Sequence, residues 1–310
     1  MIKANAFPGI IPLLLGSTAS LLLYASPLFG QEVTAIIGQD LPIYRQALKG
    51  FRKVYTGGVR EFDLKGNPNR IHQLRESTQD SDKEIILAVG LMAAKAAKEA
   101  YAGTPTVFCM VFNPERFSLK GKLSTGVSMD IPPSLILREI KTLFPEVGRI
   151  GILYDPEKNQ QLVDTAWKAA KSQGVALLAE AVRSEKMLSK ALENLEGKID
   201  FLWIAPDSTV VTPRSIGFIF LQALRNEIPI VTFSEALVRR GAVAAFSPDY
   251  ASVGEEAGRL VLQILKGKRP DQIPLRNAVK ARLILNLKMA RKLGVRLGPN
   301  AVNKADKVYE

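Results

Sequence analysis

The stretch EIILAVGLMAAKAAKEAYA, residues 84–102, contains the unit from which most of this chain is built. Residues 84–89 form a short apolar run of the kind found in a buried strand. Residues 91–102 are rich in alanine and lysine, which favour a helix, and Gly90 separates the two runs. A strand followed directly by a helix is the repeating unit of a parallel sheet, so this stretch predicts an α/β fold.

The same alternation extends along the chain on both sides of this unit. In the first half, further strands are predicted at 33–38, 59–63, 106–112 and 123–128, and helices at 43–55 and 69–78. The second half predicts helices at 133–144, 160–173, 185–195 and 213–226, and strands at 149–154, 175–181, 201–204 and 230–233. Two α/β halves of similar size, each with its own sheet, predict two Rossmann-like lobes with a crevice between them.

The composition excludes several functional classes. The chain has 310 residues, 47% hydrophobic and 23% charged, as expected of a folded protein with two domains. A single Cys and a single His leave no intrachain disulfide, Cys/His zinc cluster or Cys/His dyad. The Gly-x-Gly-x-x-Gly and Gly-x-Ser-x-Gly motifs are absent from the sequence. We therefore expect no cofactor and no bound metal.

Basic residues exceed acidic ones, and the excess is greatest near the C-terminus. The formal net charge is +12, and residues 266–310 contain twelve basic residues against three acidic ones. Residues 283–297 have helix-like apolar spacing, and this basic stretch contains no aromatic residue before Tyr309. Because binding of single-stranded nucleic acid usually combines basic side chains with aromatic ones, a nucleic-acid partner is not expected. A solvated basic face is the preferred interpretation, and affinity for an anionic membrane surface is the next.

The N-terminal residues 1–30 have the pattern of a secretory signal peptide. They carry one charge, Lys3, followed by an apolar stretch at 10–24 and a small-residue region at 25–30. Cleavage is predicted before Gln31. The apolar stretch is shorter than the roughly 20 residues of a membrane span, although an uncleaved anchor stays open as the alternative. The segment has no Cys to carry a lipid, so we expect a periplasmic or otherwise extracytoplasmic protein that is not a lipoprotein.

Candidate ligand-binding residues lie where the predicted strands end, because open parallel sheets bind ligands beyond the carboxyl ends of their strands. These positions offer carboxylates, amides and aromatic rings but few cations, which suits a ligand with an ammonium group and an apolar or aromatic body. The alternative is that such residues only cap helices or form turns. The candidates at these strand ends are Gln39, Asp40, Tyr44, Gly90, Leu91, Met92, Phe112, Asn113, Tyr154, Asp155, Asp207, Ser208, Thr209, Ser234 and Glu235.

The chain resembles the type 1 periplasmic solute-binding proteins, and more narrowly the ABC-transporter substrate-binding proteins whose better known members bind aromatic amino acids such as tryptophan. The resemblance covers nearly all of residues 33–299. It rests on the order and spacing of RQALKGF (45–51), AVG (88–90) with AA (93–94), GVS (126–128), PEVGRIGILY (145–154), PDSTV (206–210), RGA (240–242), DY (249–250), ILKGKRP (264–270) and NLKMARKLG (286–294).

The resemblance implies a ligand pocket between the lobes. Asp207 stands in the family's acidic Asp-x-Thr-Val turn and is the first candidate to receive a ligand ammonium. Asn159 or Gln160 takes the place of a nearby family Asn. The turn at 90–92 lacks the Ser or Thr that the family usually has after its Gly, so a hydroxyl donor to a ligand carboxylate is missing.

The resemblance also implies a type 1 periplasmic binding protein fold with a hinge of three crossings, near 128–130, 247–249 and 268–270. Lobe 1 would comprise 31–128 with 248–267 returning to it, and lobe 2 would comprise 129–247 with 268–297, leaving a basic tail at 298–310. Both sheets should be parallel, and a helix at 249–265 should pack on lobe 1. Ligand binding would select the closed form of the hinge.

The predicted function is that of an exported solute-binding protein without enzymatic activity. It would capture a small organic ligand, such as an apolar or aromatic amino acid, and deliver it to the permease subunits of an ABC transporter. Two alternatives stay open. One is a sensory binding protein that signals to a membrane kinase or receptor. The other is an enzyme that uses paired carboxylates among Asp155, Asp207 and Glu235.

Overall fold

The structure is a computed structural model that describes residues 32–77, 84–278 and 280–310. The signal peptide predicted at 1–30 lies outside these residues, as does the last position of the helix predicted at 69–78. Within the described ranges, no helix is both long enough and apolar enough to cross a bilayer.

The first lobe is built on a five-stranded sheet in the order β2-β1-β3-β4-β5, and every neighbouring pair is parallel. The strands are β1 (Val33–Ile37), β2 (Val59–Asp63), β3 (Ile85–Val89), β4 (Thr106–Val111) and β5 (Ser124–Ser128). The helices between them are α1 (Pro42–Val54), α2 (Ile71–Ser77) and α3 (Leu91–Ala100). The central strands β1, β3 and β4 are fully buried, as expected of a sheet covered on both faces.

The second lobe is built on a seven-stranded sheet in the order β12-β11-β10-β9-β8-β6-β7. Its strands are β6 (Arg149–Tyr154), β7 (Ala176–Ala181), β8 (Phe201–Trp203), β9 (Ile230–Thr232), β10 (Ala244–Pro248), β11 (Ala281–Asn286) and β12 (Lys307–Tyr309). The helices of this part of the chain are α4 (Pro133–Leu143), α5 (Pro156–Ser172), α6 (Leu188–Leu195), α7 (Ser215–Arg225), α8 (Glu235–Arg239), α9 (Tyr250–Leu265), α10 (Leu287–Lys292) and α11 (Ala301–Lys304).

The predicted fold class, two α/β lobes with parallel sheets, is confirmed, with one correction in the second sheet. Strand β11 pairs antiparallel with β10, so this sheet is mixed. The residues predicted as a basic tail at 298–310 include α11 and β12, and β12 pairs with β11. The helix-like spacing at 283–297 was also misleading, because residues 283–286 belong to β11 and the helix begins at Leu287.

Helix α9 returns to the first lobe and packs against α1, as predicted for residues 249–265. The two helices touch backbone to backbone. An ideal Cβ on Gly254 would lie 1.8 Å from the carbonyl oxygen of Ala47, and one on Gly50 would lie 2.0 Å from that of Ala251. Val253 and Ala257 of α9 are buried in the first lobe's core as a result.

The third crossing lies later in the chain than the predicted 268–270. Ile273 is buried in the first lobe's core. The backbone of Arg276 pairs with β5, where its carbonyl oxygen accepts a hydrogen bond from the Ser128 amide at 2.7 Å. Its guanidinium forms an ion pair with the buried Glu256 of α9. The chain therefore enters the second lobe only between this segment and β11.

Candidate functional site

A cavity of about 290 Å³ lies between the lobes, beside the crossings. The first lobe contributes the segment after β4, the end of β5 and the segment at 275–277. The second lobe contributes the entry to α4, the first turns of α5 and Pro206. Three of the predicted ligand-binding residues line the cavity, namely Phe112, Asn113 and Asn159.

The segment after β4 reaches across to the second lobe. Its course is set by a register shift in β4 and by left-handed backbone conformations at Met110 (φ 60°) and Asn113 (φ 45°). Such conformations are unfavourable for residues with a side chain and persist where the surrounding structure fixes them. The ring of Phe112 meets that of Phe233 edge to face at 5.8 Å, and Asn113 Nδ2 donates to the Lys158 carbonyl oxygen at 3.0 Å.

Two carboxylates face the cavity without a cation beside them. Asp130 and Glu115 both line it, and none of the described lining residues is Lys, Arg or His. Asp130 Oδ2 accepts a hydrogen bond from the Asn113 amide at 2.8 Å. Burial raises the pKa of Asp130, and the neighbouring charge of Glu115 raises it further. A cationic group in the cavity would relieve both effects, so the lining favours a ligand that carries a positive charge.

Asp207, predicted to receive a ligand ammonium, is instead engaged by the chain itself. Its side chain is buried, and Oδ2 accepts from the Asp155 amide at 2.8 Å and from Asn159 Nδ2 at 2.7 Å. Oδ1 accepts from the amides of Thr209 and Val210 at 2.8 and 3.1 Å. These four donors fill the acceptor positions of the carboxylate. Asp207 therefore links the turn after β6 to the turn after β8.

Asp155 is likewise held within the second lobe. Its Oδ1 accepts from the Glu157 amide at the start of α5, and its Oδ2 accepts from Thr209 Oγ1 at 2.6 Å. Lys158 Nζ lies 3.5 Å from Oδ2 and donates to Ser208 Oγ at 2.9 Å. Although burial raises the pKa of Asp155, hydrogen bonds from Thr209 and Glu157 and the charge of Lys158 leave it below its usual value. The chain thus supplies its own ammonium to this acidic turn.

Six predicted residues of the first lobe lie outside the cavity lining: Gln39, Asp40, Tyr44, Gly90, Leu91 and Met92. The exposed Asp40 accepts a hydrogen bond from Arg45 Nε at 2.6 Å, and this bond holds the pKa of Asp40 below its usual value. Gly90 has φ 90°, and an ideal Cβ there would lie 2.4 Å from the Tyr44 hydroxyl oxygen. This turn therefore needs glycine for close approach as well as for its backbone angle.

The remaining predicted residues of the second lobe also lie outside the lining. Tyr154 Oη donates to Gln160 Oε1 at 3.3 Å, and Ser234 stands at the N-terminus of α8. Glu235 Oε1 accepts from Lys307 Nζ at 2.7 Å and from Tyr309 Oη at 2.6 Å. These bonds, that from Lys307 first, lower the pKa of Glu235. Glu235 therefore anchors strand β12.

Sequence reasoning missed the lining residues that lie at the crossings, above all Asp130, Glu115 and Asn277. Asp130 lies two residues after the Gly-Val-Ser motif at 126–128 and within the predicted crossing at 128–130, so the sequence did offer a signal for it. Glu115 is the next residue but one after Asn113. Asn277 gave no signal, because its place depends on the pairing of Arg276 with β5.

Comparisons with known proteins give a consistent result. The family model described as ABC transporter substrate binding protein matches residues 58–309. A tyrosine-binding protein of Clostridioides difficile is 29% identical over 212 residues, which are 66% of this chain and 61% of that relative. The chain thus spans less than two thirds of that relative's length.

Solved structures share the fold at low sequence identity. A ligand-free, open substrate-binding protein with adhesive properties from Clostridium difficile has a TM-score of 0.72 at 19% identity, over 90% of this chain and 99% of that one. An ABC domain from Streptococcus pneumoniae in complex with L-Trp has a TM-score of 0.64 at 20% identity, with the same coverage.

Proposed function

Since the chain belongs to the family of ABC transporter substrate-binding proteins, we propose that it captures a small amine-bearing organic ligand, such as an apolar or aromatic amino acid, in the cavity between its lobes. It then delivers this ligand to the permease of an ABC transporter. The observation that carries the proposal is the cavity itself, which both lobes line and in which two carboxylates have no basic residue beside them.

The chemistry of the lining matches the parts of an amino acid. Asp130 and Glu115 attract the ammonium group, and the apolar body packs on Phe112 and its neighbours. Among the described contacts, the amide side chain of Asn277 has no hydrogen-bond partner, so it is free to donate to a carboxylate. A volume of about 290 Å³ suits a small ligand. The tyrosine-binding relative and the L-Trp complex support this ligand class.

Binding is coupled to closure of the two lobes. Phe112 and Asn113 meet the second lobe beside the cavity, and a ligand held by both lobes would add contacts that only the closed form makes. Binding occurs without turnover, because Asp155 and Asp207, which the alternative enzyme would use, accept hydrogen bonds from the chain's own groups.

The proposal is tested by titrating the purified protein with the amino acids, with nucleosides and with sugars, while heat release and melting temperature are measured. We expect an amino acid to bind and to be recovered unchanged. Asp130→Asn should lower its affinity at least tenfold, whereas Asp271→Asn, which changes a half-buried surface carboxylate paired with Arg269, should not. Binding of a sugar but no amine, or equal affinity of the two variants, would contradict the proposal.

We further propose that the protein is exported by a signal peptide at 1–30 and carries no lipid. Members of its family work outside the cytoplasm. The sequence has no Cys before Cys109. The mass of the protein recovered from the extracytoplasmic fraction decides between cleavage before Gln31 and a retained anchor.

A further inference from the structure

Helix α7 is a surface helix with an apolar outward face. Residues 215–224 contain no charged side chain. Leu221 and Leu224 are 46% and 37% exposed, and their spacing of three places them on the same side of the helix. A surface helix normally carries polar residues on the face away from the core, and α7 departs from this pattern at these two leucines.

An apolar groove continues this face onto a neighbouring helix. It encloses about 250 Å³ and is lined by Phe220, Leu221 and Leu224 from α7 and by Met289 and Leu293 from the α10 region. Arg240 is its charged lining residue, and none of the described lining residues is acidic. The groove therefore combines apolar walls with a positive rim.

Five exposed cations lie on the elements that form this groove: Arg225, Arg240, Lys288, Arg291 and Lys292. None of them forms an ion pair with any carboxylate in the described part of the chain. By contrast, Arg276, Arg296 and Lys307 of the same basic C-terminal stretch are paired. Among the described residues, three of the eight cations of that stretch without an ion pair, Lys288, Arg291 and Lys292, thus lie on the helix that borders the groove, where Glu227 is the carboxylate nearest in sequence.

The groove lies away from the ligand cavity. Ile228, two residues before β9, and Ile230, its first residue, line the groove. Phe233, just after the end of β9, meets Phe112 at the crevice. The two features thus lie at opposite ends of the second sheet, and a partner at the groove would leave the ligand site accessible.

We propose that this surface, the apolar groove with its five unpaired cations, docks on an anionic phospholipid bilayer. Interfacial binding of this kind needs apolar side chains that enter the headgroup boundary and cations that meet the lipid charges. Each such cation adds to the attraction of an anionic surface. Docking would keep the protein close to the membrane without a spanning helix, and it does not depend on the identity of the ligand.

Vesicle flotation tests the proposal, with the full chain and its variants on phosphatidylcholine vesicles that contain or lack phosphatidylglycerol. The readout is the extra binding caused by phosphatidylglycerol, so binding common to both vesicle types is subtracted. We expect such extra binding for the unaltered chain, and we expect salt to weaken it because screening reduces the charge term.

Two variants and their controls assign the binding to this surface. The double variant Leu221→Ser/Leu224→Ser should reduce the extra binding at least tenfold, whereas Met187→Ser, at another exposed apolar residue, should not. The double variant Arg291→Gln/Lys292→Gln should also reduce the extra binding at least tenfold. Its control, Lys168→Gln/Lys171→Gln on α5, removes two charges elsewhere and should not reduce it. Ligand affinity should stay unchanged in all four.

Three results would overturn the proposal: no extra binding to phosphatidylglycerol, equal loss in variants and controls, or sedimentation as a dimer that only the groove variants abolish. The last result would assign the surface to a second copy of the chain. None of these results bears on the ligand cavity, so failure here is distinguishable from failure of the proposed binding function.

Discussion

Substitution of Asp207 by alanine separates a structural role from a ligand-binding role. The sequence favours a carboxylate that receives a ligand ammonium, and its loss would then weaken binding and leave the empty protein stable. In the structure, the same carboxylate accepts four hydrogen bonds from within the second lobe and is 5% exposed. We therefore expect Asp207→Ala to destabilise the empty protein.

The size of the effect follows from the four donors that lose their acceptor. Hydrogen bonds to a charged group each contribute about 1.5–3 kcal/mol, but they are not additive when they share one acceptor. Removing one side of a buried charged interaction typically costs about 3–5 kcal/mol. We expect the free energy of unfolding to fall by an amount in this range, because four donors lose the carboxylate that accepts from them: the backbone amides of Asp155, Thr209 and Val210 and the side-chain amide of Asn159.

Urea unfolding of the ligand-free protein, followed by circular dichroism, measures this loss. Asp271→Ala is the matched control, since that carboxylate is on the surface, and its change should stay within about 0.5 kcal/mol. An unchanged urea midpoint for Asp207→Ala together with a tenfold loss of ligand affinity would refute the structural reasoning and restore the role that the sequence suggested.

Three further predictions concern the cavity and the first lobe. Because burial raises the pKa of Asp130, affinity for an amine ligand should fall as the pH drops through that raised value, and calorimetry should find this dependence absent in Asp130→Asn. Because the pKa of Asp130 is higher in the folded protein than in the unfolded chain, its contribution to the free energy of unfolding is largest at low pH. This contribution is lost as the pH rises through the raised pKa. Gly254→Ala should destabilise the first lobe by about 3 kcal/mol or more in urea unfolding, because its Cβ would overlap the Ala47 backbone, whereas Gly103→Ala has open space. Glu256→Gln should destabilise the first lobe, because its buried carboxylate pairs with Arg259 and Arg276, and it should also weaken ligand binding severalfold in the folded protein, because the pair with Arg276 fixes the segment at 275–277 that lines the cavity; equal affinity would contradict this.

Local patterns predicted most of the fold because short apolar runs and amphipathic runs alternate so regularly. The predicted and observed bounds of the strand at Arg149–Tyr154 are identical, because a charged residue begins the apolar run and an Asp-Pro pair follows it. Helix α5 begins four residues before the predicted start, because Asp155 caps it and Pro156 occupies its first turn. Strands β10, β11 and β12 were not predicted, because they are short and are stabilised by pairing with one another and with β9; β11 and β12 also each begin with or near a basic residue, Arg282 and Lys307.

The site was less predictable than the fold. The rule that ligands bind beyond strand ends found Phe112 and Asn113, and the family resemblance found Asn159; all three line the cavity. It also selected Asp207 and Glu235, whose partners at Asp155 and Lys307 are determined only by the folded arrangement. A sequence shows that a carboxylate stands in a turn, but it does not show whether the chain's own donors will occupy it.

The late position of several key elements has a consequence for how the molecule is assembled. The first lobe's core includes α9 and Ile273, and the second sheet includes β11 and β12. Neither half can complete its core until nearly the whole polypeptide has left the ribosome. If the chain is exported through a translocation channel, as proposed above, such delayed completion would prolong the interval in which it can still be exported.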